Sequence, residues 1–462
     1  MTSRPRAHPV RRPGTRFPLP ALLLLLAGTP LAAQLPMTLG EAFRRADSAA
    51  YANRIAAGDA RARGAQATAA LQGILPTVRA EAGYLRTNEP LTAFGITLRQ
   101  RGVTLASFDP ASLNYPAAIG NWNGGLVAEV PLINVDAWFG RSAASSAAAA
   151  ANASSGWTRE VTRVDVVRAY FGAILAQEQV HTLVAGTDAA RANLRQAQSM
   201  VTNGLATRSD ALLASIQAGQ VEAQLIGARG EADIAHQRLA VLLGQPGDSA
   251  FVLPDSLPPA ATIRSLGDGS SQADSASARL DVTAARLGVA AAQGDVRRAN
   301  AKYLPRLNGF GRYDWNSPNQ PFGGVGGYTI GIMASWSPFA GASELAERQA
   351  ARGRAEAAGA SAEAAAAAAR LDRNATAIQH SVALARLAIA EAAVDQAAEA
   401  HRIVARKYAG GLATIAELLG AASAETQARL SLSEARYQAI VADAAARQAS
   451  GRDLMALTAL EN

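Results

Sequence analysis

The sequence predicts a mixed α+β membrane protein. Long helices form a coiled-coil barrel, strand hairpins form a transmembrane β-barrel shared between chains, and the unit is written twice. Three observations predict this. The turn NGLATRSDALL at 203–213 recurs as GGLATIAELLG at 410–420, with Gly204 and Gly411 lying 207 residues apart. Pro131 stands 73 residues before Gly204, and Pro338 stands 73 residues before Gly411. Between long Ala-rich helical stretches lie segments of alternating apolar residues, such as GGYTIGIMASW at 326–336.

The chain of 462 residues opens with a segment that reads as a signal peptide, 1–33. Arg4, Arg6, Arg11, Arg12 and Arg16 precede the apolar run PLPALLLLLAG, and small residues set cleavage near Ala33, so the exported chain is expected to start near Gln34. That run is too short to span a bilayer as a helix, and no later segment has 18 consecutive apolar residues. The full chain carries 44 basic and 37 acidic residues; without the five leader arginines, 39 face 37, a net charge of +2. The high isoelectric point therefore belongs to the leader, and no nucleic-acid partner is expected. There is no cysteine, which excludes disulfides, thiolate metal sites, a cysteine nucleophile and a lipid-bearing N-terminal cysteine. Aromatics make up 5% of residues, and alanine runs such as SAEAAAAAAR at 361–370 favour closely packed helices over a thick core.

An Ala-rich helical pattern over about 39–75 ends at Pro76, and its counterpart in the second half ends at Pro305; proline stops each helix and a strand-like stretch follows. A second strand in each half leads to AEVPLIN at 128–134 and SWSPFAG at 335–341, after which helical patterns resume. Each half thus reads helix, strand, loop, strand, long helix, turn, helix. The expected boundaries are 34–244 for the first repeat, 273–462 for the second, and 245–272 for an irregular linker rich in Pro, Gly and Ser. In the first long helix, Trp157, Val161, Val164, Phe171 and Leu175 form a coiled-coil-like seam interrupted by Arg168; the second offers Ile378, Val382 and Ile389. At 1.5 Å per residue, about 70 helical residues span roughly 100 Å, and the shorter helices span roughly 55 Å each. Two short helices stacked end to end therefore match one long helix.

Tyr328, Ile330, Ile332, Ala334 and Trp336 share one strand face, and Thr329, Gly331, Met333 and Ser335 share the other. Aromatics bracketing an apolar band suit a strand that faces lipid between two interfacial girdles. The first half offers Trp122, Gly124, Leu126, Ala128 and Val130, which align at an offset of 206 rather than 207 and so imply one extra or missing residue near the prolines. The other reading of such alternation is a half-buried strand in a soluble sheet. Two hairpins per chain give four strands, too few to close a barrel, and open edges are not viable in hydrocarbon, so several chains must pool their strands.

Residues 37–84 and 278–311, the Pro-Leu-Ile-Asn and Pro-Phe-Ala-Gly strand exits and the Tyr-x-x-Gly-Leu-x-Thr turn from Tyr408 to Thr414 together resemble the TolC-like outer-membrane efflux proteins. The resemblance covers nearly all of 37–453. It implies a homotrimer with a twelve-stranded outer-membrane barrel and a helical tunnel across the periplasm. It also implies an exit duct served by a periplasmic adaptor and an inner-membrane transporter, with no cofactor and no metal. Residues 88–123 and 316–327 would be outward loops. The repeated turns would be the periplasmic tips, with Gly204, Leu205, Gly411 and Leu412 meeting the adaptor. Asp210, Glu417 and Tyr408 match the positions of a closed constriction, although Ala413 stands where an arginine is expected and Gly420 where a second acid is expected.

The tip residues also have a purely structural reading. Gly204 and Gly411 suit left-handed helix ends, Thr207 and Thr414 suit N-caps, and Asp210 and Glu417 stand at capping-box spacing. Carboxylate rings at a pore mouth would in addition attract cations. Enzymatic chemistry has little support: His181, His236, His380 and His401 are scattered, and PFGGVGGY at 321–328 precedes a strand and not a helix. The rival reading is a soluble periplasmic coiled-coil adaptor or scaffold.

Overall fold

The computed structural model describes residues 37–246, 251–267 and 279–461, which lie within one compact unit, Pro36–Asn462. The signal peptide, the expected start at Gln34, parts of the linker (247–250, 268–272) and the first residues of the expected second repeat (273–278) fall outside the described residues.

The first half runs α1 (Leu39–Ala49), α2 (Tyr51–Ala69), β1 (Thr77–Thr87), α3 (Pro90–Arg99), α4 (Pro110–Asn114), β2 (Ile119–Ile133), α5 (Val135–Thr202) and α6 (Arg208–Leu242). A short helix, α7 (Ala260–Gly267), follows. The second half runs α8 (Leu280–Ala301), β3 (Arg306–Ser317), β4 (Val325–Ser335), α9 (Ser343–Ala409) and α10 (Ile415–Ser450), and a 3-10 segment, Leu454–Glu461, closes the described chain. Pro76 and Pro305 stand directly before β1 and β3, where their missing N–H and fixed φ end the helical pattern. The 68 residues of α5 and the 67 of α9 form the long members of each half. Stacked along α5 are α2 and α6, and α9 carries α8 and α10; α8 also lies against α5 and so couples the halves.

The four strands form one antiparallel sheet in the order β1-β2-β3-β4, with β1 and β4 at its edges. Directly paired residues point to the same side. One side therefore carries Val78, Ala80, Tyr84, Trp122, Leu126, Val130, Tyr313, Trp315, Tyr328, Ile330 and Ile332. The other carries Arg79, Glu81, Asn121, Glu129, Asn308, Arg312, Asp314, Asn316 and Thr329. Both expected apolar sets fall on one face, and the register shifts between Pro131 and Ile133, the place of the offset between the halves. The pair Gly124–Gly125 makes this sheet possible: a Cβ on Gly124 would lie 2.3 Å from the Trp315 ring, and one on Gly125 would lie 2.7 Å from the Asp314 carboxylate. Without those methyls, Trp315 lies across β2 on the apolar side. On the charged side, Arg312 reaches past β2 to Glu81 (3.9 Å) while holding Asp314 (2.6 Å).

The main core joins α1, α5, α7, α10 and the C-terminal 3-10 segment around Tyr170, Phe171, Phe43, Leu39, Ile440 and Leu457. Each such fully buried side chain contributes about 1.5–3 kcal/mol. The Tyr170 hydroxyl donates to the Met37 carbonyl (2.8 Å) and to the Glu461 carboxylate, which also accepts from the Leu39 N–H (2.8 Å). Burial first, then that hydrogen bond and the carboxylate charge, push the phenol's pKa far above its usual value.

Two expectations are corrected here. The linker is not irregular throughout: α7 lies within it, Leu257 and Ile263 are buried in the main core, and the Leu257 N–H donates to Glu178 (2.8 Å). Apolar side chains spaced along a Pro-rich stretch tie it down as a strap. The seam of the first long helix is buried at Val164, Phe171 and Leu175, but Ile378, Val382 and Ile389 of α9 are exposed. Along most of α9 the residues buried against their own chain are alanines, such as Ala369 and Ala383, with Leu387 and, at the tip, Tyr408 as the large exceptions. Alanine allows close helix approach, and Leu371, Ile378, Val382 and Ile389 are left exposed.

Candidate functional site

At the far end of the long helices, two identical turns stand side by side. Gly204 and Gly411 adopt φ values of 73° and 72°, which L side chains rarely adopt. In the first turn, Gly204 N donates to Val201 O (3.0 Å) and Leu205 N to Met200 O (2.8 Å). In the second, Gly411 N donates to Tyr408 O (3.0 Å) and Leu412 N to Lys407 O (2.8 Å). This is the paired hydrogen bonding of a Schellman helix end. The next helices start immediately with full capping boxes. Thr207 N donates to Asp210 (2.9 Å) and Asp210 N to the Thr207 hydroxyl (3.3 Å); Thr414 N donates to Glu417 (2.7 Å) and Glu417 N to the Thr414 hydroxyl (3.3 Å).

Ala197, Ala214, Tyr408, Ile415, Leu418 and Leu419 form one buried cluster, which joins turns written 207 residues apart. Leu205 and Leu412 remain outside it, 73% and 81% exposed. Asp210 is half-buried and Glu417 is exposed. The Thr414 backbone and side-chain hydrogen bonds, with Lys407 nearby, hold the Glu417 carboxyl below the usual carboxylate range. Tyr408 is buried, and its hydroxyl has no hydrogen-bond partner among the described residues. Burial, and then the Asp210 charge, raise its pKa. The structure thus brings Tyr408 and Asp210 into electrostatic reach, whereas both acids already serve as helix caps.

At the opposite end, Tyr328, Ile330, Ile332 and Trp336 are strongly exposed and Leu126 moderately so, while Trp122 lies against Tyr84 with ring centroids 4.8 Å apart. The Trp336 indole donates to the Tyr303 carbonyl (3.1 Å), and Trp138 and Phe339, which follow the ends of β2 and β4 in sequence, are exposed. Aromatic residues therefore occur toward both ends of the apolar strands. The Arg306–Asp136 pair (2.5 Å) pins the start of β3 to the start of α5.

Sequence reasoning missed the helices of the first outward loop and the extent of the strands, which take in 119–123, 316–317 and 325–327 from the expected loops. The signals were present: Glu89-Pro90 and Asp109-Pro110 each place an acidic N-cap before a proline at the first helical position. The Arg79–Glu81–Arg312–Asp314 network was not legible, because its members come from strands separated by β2.

A sequence model of the family described as "Outer membrane efflux protein" matches residues 54–245 and 273–452. The alkaline protease secretion protein AprF of Pseudomonas aeruginosa is 28% identical over 294 residues; the match spans 62% of this chain and 61% of the relative's length. Among solved structures, the outer membrane protein VceC of Vibrio cholerae superposes with a TM-score of 0.74 at 20% identity, covering 90% of this chain and 99% of that one. The Campylobacter jejuni CmeC outer membrane channel gives 0.73 at 15% identity, covering 89% and 85%. The family model thus matches both repeats of the chain, and the match to the relative spans about three fifths of that protein's length. On the two matched repeats, which make up most of its length, the chain belongs to the outer membrane efflux protein family.

Proposed function

We propose that three copies of this chain form an exit duct from the periplasm through the outer membrane, fed by an inner-membrane transporter through a periplasmic adaptor. The observation that carries this reading is the sheet. It has one apolar face belted by aromatics, one charged face, and two unpaired edges, β1 and β4. In hydrocarbon such edges must be paired, and β4 of one copy against β1 of the next does so around a closed ring. Tyr328, Ile330, Ile332, Trp122, Leu126 and Trp336 would then face lipid, and Arg79, Glu81, Arg312 and Asp314 the aqueous lumen.

At the tunnel's other end, Leu205 and Leu412 are the proposed adaptor contacts, turned by Gly204 and Gly411, giving six similar sites around a trimer. Asp210 and Glu417 are the proposed carboxylate rings of the narrow end, with Tyr408 behind them. A relative named for alkaline protease secretion extends the proposed cargo from small molecules, such as drugs and metal ions, to proteins. The test is fractionation followed by mass measurement in detergent. The expected result is recovery with the outer membrane, starting near Gln34, as a trimer. Recovery from the periplasm without detergent, or a stable monomer that conducts ions, would overturn the reading.

A further inference from the structure

The β1–β2 connection is not an open loop. The α3 helix begins at Glu89, whose carboxylate accepts from Leu91 N (3.1 Å) and Thr92 N (2.6 Å). It then docks on the charged, lumen-side face of the sheet. Gln100 Nε2 donates to the Gly120 carbonyl (3.1 Å) and to Asn121 Oδ1 (2.9 Å), and Asn121 Nδ2 donates to Asn316 Oδ1 (2.8 Å). Asn121 and Asn316 are buried beneath it, and so are Ala93 and Ile96 of α3. At 100° per residue, Leu91 and Leu98 lie on the opposite face of α3 from Ala93 and Ile96. They are 79% and 57% exposed. An apolar stripe is therefore held over a charged lumen, and no described residue of its own chain covers it.

Barrel closure says what covers it. Strands about 4.8 Å apart and tilted about 40° make a twelve-stranded barrel roughly 24 Å across between backbones. A helix with its side chains is about 10 Å thick. Three helices, one on each copy's lumen face, must meet near the axis, and Leu91 and Leu98 are the side chains turned that way. We propose that Leu91 and Leu98 from the three copies form an apolar outward gate at the barrel mouth, closed by dewetting and parted by passing cargo. This inference rests on the pooled-barrel reading above.

The test reads the lumen from outside, so that the periplasmic tip does not enter it. The chain has no cysteine, which leaves introduced ones unambiguous. Thr329→Cys, on the charged face beneath the loop, is probed on intact cells with a charged, membrane-impermeant maleimide. With the gate intact labelling is slow; adding Leu91→Asp and Leu98→Asp hydrates the constriction and should speed it roughly tenfold or more. Equal rates in a trimer of normal mass would overturn the gate, whereas absence of a trimer would overturn the reading beneath it. Should the double aspartate chain fail to assemble, Leu98→Cys decides alone: oxidation should crosslink two copies, and no crosslink in an assembled trimer sinks the proposal.

Discussion

In the proposed gate, Asp210 and Glu417 would each do two things, and those demands separate on charge. A cap needs a hydrogen-bond acceptor, and an amide supplies one; a cation-attracting ring needs ionised carboxylates. Asp210→Asn with Glu417→Gln is therefore expected to assemble normally while losing cation selectivity and divalent-cation block in planar bilayers. Unchanged selectivity and block would leave both acids as caps alone. The pKa shift sets the pH window. Because the Thr414 hydrogen bonds lower the Glu417 pKa beneath 4.5, its charge and its contribution to the cap persist below the ordinary value and are lost only as pH falls through the lowered one. Tyr408 gives a second, independent measurement. A buried hydroxyl without a partner costs about 1–3 kcal/mol, so Tyr408→Phe should leave thermal stability equal or higher. A clear fall in melting temperature would show that a neighbouring copy supplies the phenol's partner.

The elements that distinguish this chain are short ones at the ends of long helices. Each tip turn presents a leucine that its own chain does not bury, on a backbone fixed by two hydrogen bonds and a capping box. A side chain held outward at such ordering cost suits a contact surface. Leu205→Asp with Leu412→Asp should abolish efflux and adaptor crosslinking without affecting recovery in the outer membrane; wild-type crosslinking yield in the double variant would remove the tip from the docking site. The tips were legible because a Schellman end and a capping box are local, written within a dozen residues. The β1–β2 helices were not found, although their Glu-Pro and Asp-Pro starts are also local, because Leu91, Leu98, Leu105 and Tyr115 are exposed and give no core-facing periodicity to follow. The linker strap was missed for a related reason: its buried residues belong to a core assembled elsewhere.

Across the whole molecule, the apolar surface left uncovered has a pattern. On α9, Leu371, Ile378, Val382 and Ile389 are exposed at heptad-like spacing, and α6 exposes Leu212, Leu213, Ile216 and Ile226. An eighteen-residue window of α9 is apolar enough by composition to cross a membrane, yet little of it is buried within the chain. Its abundant alanine suits a close helical neighbour, and in the proposed trimer a second copy would supply one. Ile378→Glu with Ile389→Glu should therefore leave a folded, helical chain that no longer forms trimers, as read by light scattering with detergent correction. Trimers of normal mass and heat stability would show that these stripes face solvent.

The duplication, the helix–strand–strand–helix order, the tip turns and the alternation of the strands were set by residues close together in the chain, through proline stops, left-handed glycines and period-two patterns. Only the tertiary structure decided which apolar stripe turned inward. Phe171 and Ile378 look alike in sequence, but Phe171 of α5, which meets α1, α8 and α10 within its own chain, is buried, whereas Ile378, Val382 and Ile389 of α9 are exposed. It likewise decided that Arg312 meets Glu81 across Gly125 of β2, and that α3 lies over the charged side of the sheet. Burial depends on what arrives from distant parts of the chain, or from another copy of it, and no local pattern carries that information.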